Sequence, residues 1–395
     1  MSAIIFATIG DPTVYKEVKY SFQGKEERSN VSFLAIKKFL EPIPKTVAIL
    51  GISVAEKLGC KDECTASYDQ CKQCIVEKSK GFGVNADEYI VAPNILGIFK
   101  SKPDYYFSHV YYNSLKILEN EKPNKIYLDT THGINYMPIL AKDALLLATS
   151  AYAARQEKEV SFGMFNSDPY VKDIEGPYEI HLTESIRVSP LAGLKYVTTQ
   201  ILNKDLNYFQ SLKKEGVDFI KIHKIARGLD NGLFVYFADK AEEIQGLIKK
   251  FEADEKVDIK FEAGTIKLEY KDAKHALVHA LLYVALRFKK EGGCLDLETL
   301  ENFAKVYADK VTSTIIRNEI DRIKENADKI TSEKKLLREI AKEEGEKRDF
   351  DQRILYAHGG LPYAGTYVYR SGEKICISYI ADNDKTNINK IEEHM

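Results

Sequence analysis

The sequence predicts an α/β N-terminal domain on a doubly wound, mostly parallel sheet, then a connector, then a mainly α-helical C-terminal domain. Three observations carry that reading. Residues 1–188 alternate short apolar runs with segments of helical periodicity, the pattern of βαβ units. From about Leu191 the alternation stops, and from Lys274 to His358 nearly every segment is helical and charged. At 395 residues the chain exceeds one ordinary domain, and the composition shifts place boundaries near 188 and 270.

The elements follow in chain order. AIIFATIG ends at Gly10, as a buried parallel strand does. SNVSFLAIKKFL offers Ser29 and Asn30 as caps and puts Phe33, Ile36, Phe39 and Leu40 at helical spacing. KTVAILGISVA repeats the strand-then-turn pattern. After a cysteine-rich loop, DEYIVAPNILGIF gives a strand and YFSHVYYNSLKILEN a helix. NKIYLDTTHG is a strand running into a polar turn, ahead of the helical INYMPILAKDALLLATSAYAAR, and EVSFGMFNS and YEIHLTES close the domain as strands. In the connector, LAGLKYVTTQILN and NYFQSLKKEGVDFIKIHKIARG read as helices, GLFVYFA and VDIKFEAGTIKLEY as strands. Residues 317–353 read as a solvated helical surface with i,i+4 charge pairing, and TYVYRSGEKICISYI as a hairpin around Ser371-Gly372.

Bulk properties exclude several classes. A hydrophobic share of 44% supports real cores, and 57 basic against 59 acidic residues leave no global basic field for nucleic acid. No apolar run reaches membrane-spanning length, and MSAIIFATIG lacks the features of a signal peptide, so a cytoplasmic protein without a membrane partner is expected. Trp is absent while Lys, Glu, Ile and Tyr abound, the bias of a thermophile. Cys60, Cys64, Cys71 and Cys74 form a C-x3-C…C-x2-C cluster with six residues between the pairs. Four thiolates can close a structural zinc site, and the same cysteines can pair as disulfides; both readings stand, and neither makes the cluster catalytic. His275 and His279 share a helix face at i,i+4, but no H-E-x-x-H is present and no third ligand is nominated.

Two strand ends carry unusual polar chemistry. Thr8, Gly10 and Asp11 mark the end of the first strand, and Asp129, Thr130, Thr131, His132, Gly133 and Asn135 lie within LDTTHGINYMP. Caps and turns account for one or two of these positions and poorly for six out of seven after a buried strand. Hydroxyls, an imidazole and exposed amides beyond the carboxyl ends of parallel strands suit phosphate and nucleobase edges. Neither turn holds G-x-G-x-x-G or G-x-x-x-x-G-K-[ST], which disfavours a dinucleotide cofactor or an ordinary nucleotide triphosphatase. Far downstream, DFDQRILYAHGGLPY sets Arg353 and His358 on the flanks of a stripe formed by Phe350, Ile354 and Ala357 at the end of the last long helix. Gly359-Gly360 ends that helix and keeps the imidazole accessible, and the helix C-terminus favours its charged form. An arginine that neutralises a phosphate and a histidine that moves a proton suffice for metal-free RNA cleavage by the neighbouring 2′-OH.

TIGDP together with DTTHGINYMP resembles the ligand loops of a CARF domain, and RILYAH resembles the R-x4-H signature of a HEPN ribonuclease domain. The order CARF, connector, HEPN resembles the accessory ribonucleases of type III CRISPR–Cas systems, the Csx/Csm group. The resemblance implies a Rossmann-like CARF domain over 1–188 that binds a cyclic oligoadenylate, with cyclic tetra-adenylate the usual activator. It implies a homodimer or higher oligomer, with a HEPN domain over 271–395 that cuts single-stranded RNA without any cofactor or metal. Arg353 and His358 would be catalytic. Thr8, Gly10, Asp11, Thr130, Thr131, His132, Gly133 and Asn135 would line the activator pocket. Ile354 stands where such motifs usually have a polar residue, and no basic groove is evident.

A competing reading is a ligand-responsive transcription regulator, with 205–270 as a winged helix on DNA. It leaves Arg353 and His358 without a role. A further reading has the CARF domain slowly cleaving its own ligand through His132.

Overall fold

The structure, a computed structural model, describes residues 2–171, 176–290, 293–341, 351–381 and 384–395. They fall into two compact units. The first comprises 1–153, 158–189 and 253–276; the second comprises 154–157, 190–252 and 277–395. The connector expected over 189–270 is thus divided between them. A winged helix over 205–270 would need its helices and hairpin in one unit, and here they lie in different ones.

The strands of the first unit are β1 (Ala3–Ile9), β2 (Val18–Phe22), β3 (Lys25–Ser29), β4 (Lys45–Gly51), β5 (Glu88–Ala92), β6 (Phe99–Lys100), β7 (Lys125–Asp129), β8 (Val160–Ser167), β9 (Tyr178–Val188), β10 (Asp258–Glu262) and β11 (Thr265–Glu269). Eight of them form one sheet in the order β3-β2-β9-β8-β7-β1-β4-β5. From β8 to β5 every pair is parallel, while β9 runs antiparallel to β8 and β3 antiparallel to β2. All seven residues of β1 are buried, which is why it reads as an unbroken apolar run and not as an alternation. Ile5, Ala7 and Ile9 join Ala48 and Leu50 of β4 in a core with Phe33, Ile36 and Phe39 from helix Ser32–Phe39. That helix is capped differently from expectation. Val31 is its N-cap with no side-chain bond, and the Ser29 hydroxyl is spent on the Val31 backbone. VDIKFEAGTIKLEY, read as strands, forms the antiparallel pair β10–β11, and β11 pairs with β6 in a three-stranded sheet.

The second unit is mainly helical, with a small sheet of β12 (Leu295–Asp296), β13 (Lys335–Leu336), β14 (Tyr367–Ser371) and β15 (Lys374–Ser378). The hairpin at Ser371-Gly372 is present as β14–β15. Two expectations fail. GLFVYFA, read as a strand, lies in helix Phe234–Asp239, whose residues Phe234 to Ala238 are all buried. A short run buried on all sides has no periodicity to tell strand from helix. The charged stretch from 317 is not one helix. Helix Lys310–Glu325 stops at Asn326, a 3-10 turn, β13 and helix Leu337–Ala341 follow, and Arg353 sits on the separate six-residue helix Gln352–Ala357. Phe350 lies outside the described residues. On the short helix Leu355 is the buried residue, Ile354 is half-buried and Ala357 is exposed, so the stripe expected there is shifted. The last helix of the chain is Thr386–His394, which the sequence reading missed. No helix among the described residues is long and apolar enough to cross a membrane.

Candidate functional site

In the first unit β1 has β4 on one side and β7 on the other, so the chain reverses its winding direction there. Ligand crevices of doubly wound sheets open at the carboxyl ends of such strands. Asp11 follows β1 and caps the turn Pro12–Val14, accepting from the Thr13 amide at 3.0 Å and the Thr13 hydroxyl at 2.6 Å. The turn returns Tyr15 to the strand end, where its hydroxyl oxygen accepts the Gly10 N–H at 2.7 Å. Burial raises the Tyr15 pKa and keeps the phenol protonated.

At the end of β7 the buried Asp129 accepts the Ser32 hydroxyl on one carboxylate oxygen and the Thr131 N–H, at 3.0 Å, on the other. The Thr8 hydroxyl donates to the His132 carbonyl, and the Thr130 hydroxyl donates to the Phe165 carbonyl at 3.0 Å. His132 Nε2 accepts the Ser32 N–H at 3.4 Å, which assigns the remaining hydrogen to Nδ1, and its ring lies 4.5 Å from that of Tyr15. Burial holds this imidazole below its usual range, against the pull of Asp129. Gly133 has φ +153°, and a Cβ there would meet Pro138 Cγ at 2.5 Å; Asn135, at φ +52°, is exposed.

Beside these loops lies a cavity of about 480 Å³, within the range of small-molecule sites. Thr131 and His132 line it. Thr8, Gly10, Asp11, Thr130, Gly133 and Asn135 are not on its wall; the first four are bonded into the loops that frame it. Sequence reasoning missed most of the lining: Tyr15, Tyr20, Tyr170 and Tyr178 supply aromatic faces, and Asn30 and Asn166 supply amides. Four tyrosines with amide groups between them suit flat heteroaromatic bases. The available signal was NSDPY across the end of β8, a polar stretch like those at the ends of β1 and β7.

In the second unit Asp351 caps the short helix by accepting the Ile354 N–H at 2.9 Å. At its other end the Gly360 N–H reaches the Leu355 carbonyl at 2.8 Å and the Gly359 N–H the Tyr356 carbonyl at 3.1 Å, a Schellman motif with His358 as C-cap. Gly359, at φ +56°, also lets the backbone approach helix Lys310–Glu325, since a Cβ there would lie 2.6 Å from Ile316 Cγ1. The double glycine therefore does more than stop the helix: it docks His358 against its neighbour. Glu319, one turn beyond Ile316, meets His358 Nδ1 at 3.0 Å. Its other oxygen accepts the Tyr363 hydroxyl at 2.9 Å. Arg322 donates to Glu319 at 3.2 Å and to the Tyr363 oxygen at 3.0 Å. Burial pushes the Tyr363 phenol up to about 12. The His358 side chain remains 20% exposed, Glu319 only 6%. Arg353 is exposed, with no hydrogen bond or ion pair found to another described residue. It lies about 140° around the helix from position 358, so a ligand shared with the imidazole requires its long stem to swing round. Glu319 and Arg322 escaped sequence reasoning because one charged helix residue looks like another, and Tyr363 because it lies in the loop after the double glycine.

The cysteines resolve differently from a zinc site: Cys60 pairs with Cys74 and Cys64 with Cys71, and a third disulfide joins Cys294 to Cys376. Sulfurs committed to disulfides are not thiolate ligands. His275 bonds Asp272 at 2.8 Å and His279 stacks on Tyr283, and no cluster of metal ligands among the described residues includes either.

Residues 4–169 match the family model described as CRISPR system endoribonuclease Csx1, CARF domain, and residues 309–382 the one described as CRISPR system endoribonuclease Csx1, HEPN domain. A curated relative, the CRISPR system endoribonuclease Csx1 of Methanocaldococcus jannaschii, is 29% identical over 236 residues, or 54% of this chain. The match takes in 48% of the relative, so the chain spans about half the length of that protein. The first family match covers the β1 and β7 loops and the second covers Glu319, Arg353, His358 and Tyr363; this chain belongs to the CARF–HEPN family of CRISPR systems.

Proposed function

We propose that this chain is an endoribonuclease of CRISPR antiviral defence, activated by a cyclic oligoadenylate and independent of metal. The observation that carries the reading is His358, held by Glu319 at the end of a short helix with Arg353 exposed on that same helix. Arg353 neutralises the scissile phosphate of single-stranded RNA. His358 moves the proton as the 2′-OH oxygen bonds to phosphorus and the bond to the 5′ oxygen breaks. The products are a 2′,3′-cyclic phosphate and a 5′-OH, a balance that requires no metal or other cofactor. Two subunits each contribute one Arg353/His358 pair. The tyrosine-lined cavity takes part of the activator, with cyclic tetra-adenylate the expected ring size. Support comes from the aromatic and amide lining and from the two family matches.

The test is cleavage of labelled single-stranded RNA with cyclic oligoadenylates of several ring sizes, with and without EDTA. Activator-dependent cleavage that survives EDTA and disappears in His358→Ala is expected. Cleavage that needs a divalent ion, or an active His358→Ala variant, would overturn the reading.

A further inference from the structure

The HEPN motif names an arginine and a histidine, and says nothing of the group behind the histidine. Here that group is a buried carboxylate. Glu319 sits on helix Lys310–Glu325 among the buried residues Ile316, Ile320 and Ile323, where an acid is expensive to place. Both of its oxygens are engaged: one by His358 Nδ1 and Arg322, the other by the Tyr363 hydroxyl. Tyr363 also lies ring to ring with His358 at 5.1 Å.

We infer that Glu319 is a positioning residue for His358, fixing its tautomer and ring orientation, and that Tyr363 and Arg322 hold Glu319 for that task. A carboxylate oxygen only accepts, so the 3.0 Å contact requires the hydrogen on Nδ1. The neutral imidazole then carries no hydrogen on Nε2, the nitrogen that takes the proton of the 2′-OH. Once His358 is charged, the adjacent carboxylate stabilises the imidazolium. The Glu319 carboxylate selects between the two tautomers of the ring by accepting at Nδ1. Among the described residues, the charged and titratable groups placed with His358 include Glu319 and Arg322 from the neighbouring helix and Tyr363 from the following loop, with Arg353 on its own helix. The inference rests on His358 being the proton carrier.

The experiment compares Glu319→Gln, Glu319→Leu and His358→Ala in full-length protein. It reads kcat and KM for RNA cleavage at saturating activator, the thermal midpoint, and the ¹⁵N spectrum of histidine-labelled protein. The expected result is a fall in kcat of roughly 100-fold for Glu319→Leu, with KM nearly unchanged. Glu319→Gln, whose amide oxygen can still accept from Nδ1, should recover part of that loss, and both variants should be folded at the assay temperature. The wild-type His358 signal, identified by its loss in His358→Ala, should report hydrogen on Nδ1. An inactive His358→Ala beside Glu319 variants with wild-type kcat, or with losses matched by lower thermal midpoints, would overturn this inference alone. A His358 signal with hydrogen on Nε2 would do the same. A fully active His358→Ala would instead overturn the assignment of His358 itself.

Discussion

Acid should weaken the first unit through one residue, His109. This histidine is wholly buried on helix Pro103–Glu121, with Nε2 2.8 Å from the Glu255 carbonyl. A carbonyl only accepts, so Nε2 carries the hydrogen and Nδ1 is bare, facing the Asn113 amide nitrogen at 3.4 Å. A second proton would have no acceptor. Burial accordingly lowers the pKa from an ordinary 6.5 to about 4. Between those values the unfolded chain binds a proton that the folded chain refuses, so stability rises with pH across that interval. The contribution is complete above about 6.5 and is lost as pH falls toward 4. Two and a half units at 1.36 kcal/mol each amount to about 3 kcal/mol. Glu, Asp and other His residues also titrate here, so the perturbation that isolates the effect is His109→Gln, whose amide can donate to Glu255 but does not ionise. Urea unfolding followed by far-ultraviolet circular dichroism, chosen because the chain has no Trp, should be run at pH 7.5 and pH 4. Wild type should lose about 3 kcal/mol more than the variant between those conditions. Equal losses would refute the reasoning.

Three further outcomes are expected. Tyr15→Phe leaves the Gly10 N–H without its acceptor at 2.7 Å, costing about 1–1.5 kcal/mol. Titration calorimetry with cyclic tetra-adenylate should show about tenfold weaker binding. Gly133→Ala combines φ +153° with a 2.5 Å approach to Pro138 Cγ, so the thermal midpoint and activator binding should both fall; an unchanged midpoint would mean that the loop relaxes freely. Replacing Cys294 and Cys376 by serine opens a loop of 82 residues and should cost about 4.5 kcal/mol, against about 3 kcal/mol for the 14-residue loop of Cys60 and Cys74, read as thermal midpoints.

Much of this was legible in advance. Buried parallel strands write themselves as apolar runs such as AIIFATI, and helices between them repeat every three to four residues, so the doubly wound sheet could be read locally. The polar ends of β1 and β7 showed as runs of residues that no strand or helix interior wants. Less legible were segments whose form depends on their surroundings. Phe234 to Ala238 is buried on every side and so carries no period to tell helix from strand, and the charged stretch after 317 is interrupted by a 3-10 turn and a short strand that its composition does not announce.

The sequence by itself nominated two candidate centres: the loops after Ile9 and Asp129, and the pair Arg353 and His358 before Gly359-Gly360. Their residue types are unusual enough at those positions to stand out without any contact being known. Only the tertiary structure decided what surrounds them. Tyr20, Asn30, Tyr170 and Tyr178 reach the cavity because β2, β9 and the loops beside them are brought next to β7 and β8. Glu319 reaches His358 from 39 positions away because Gly359, having no Cβ, lets the two helices meet at Ile316. A local pattern can announce a reactive side chain, but the partner that fixes its proton is chosen by packing between segments far apart in the chain.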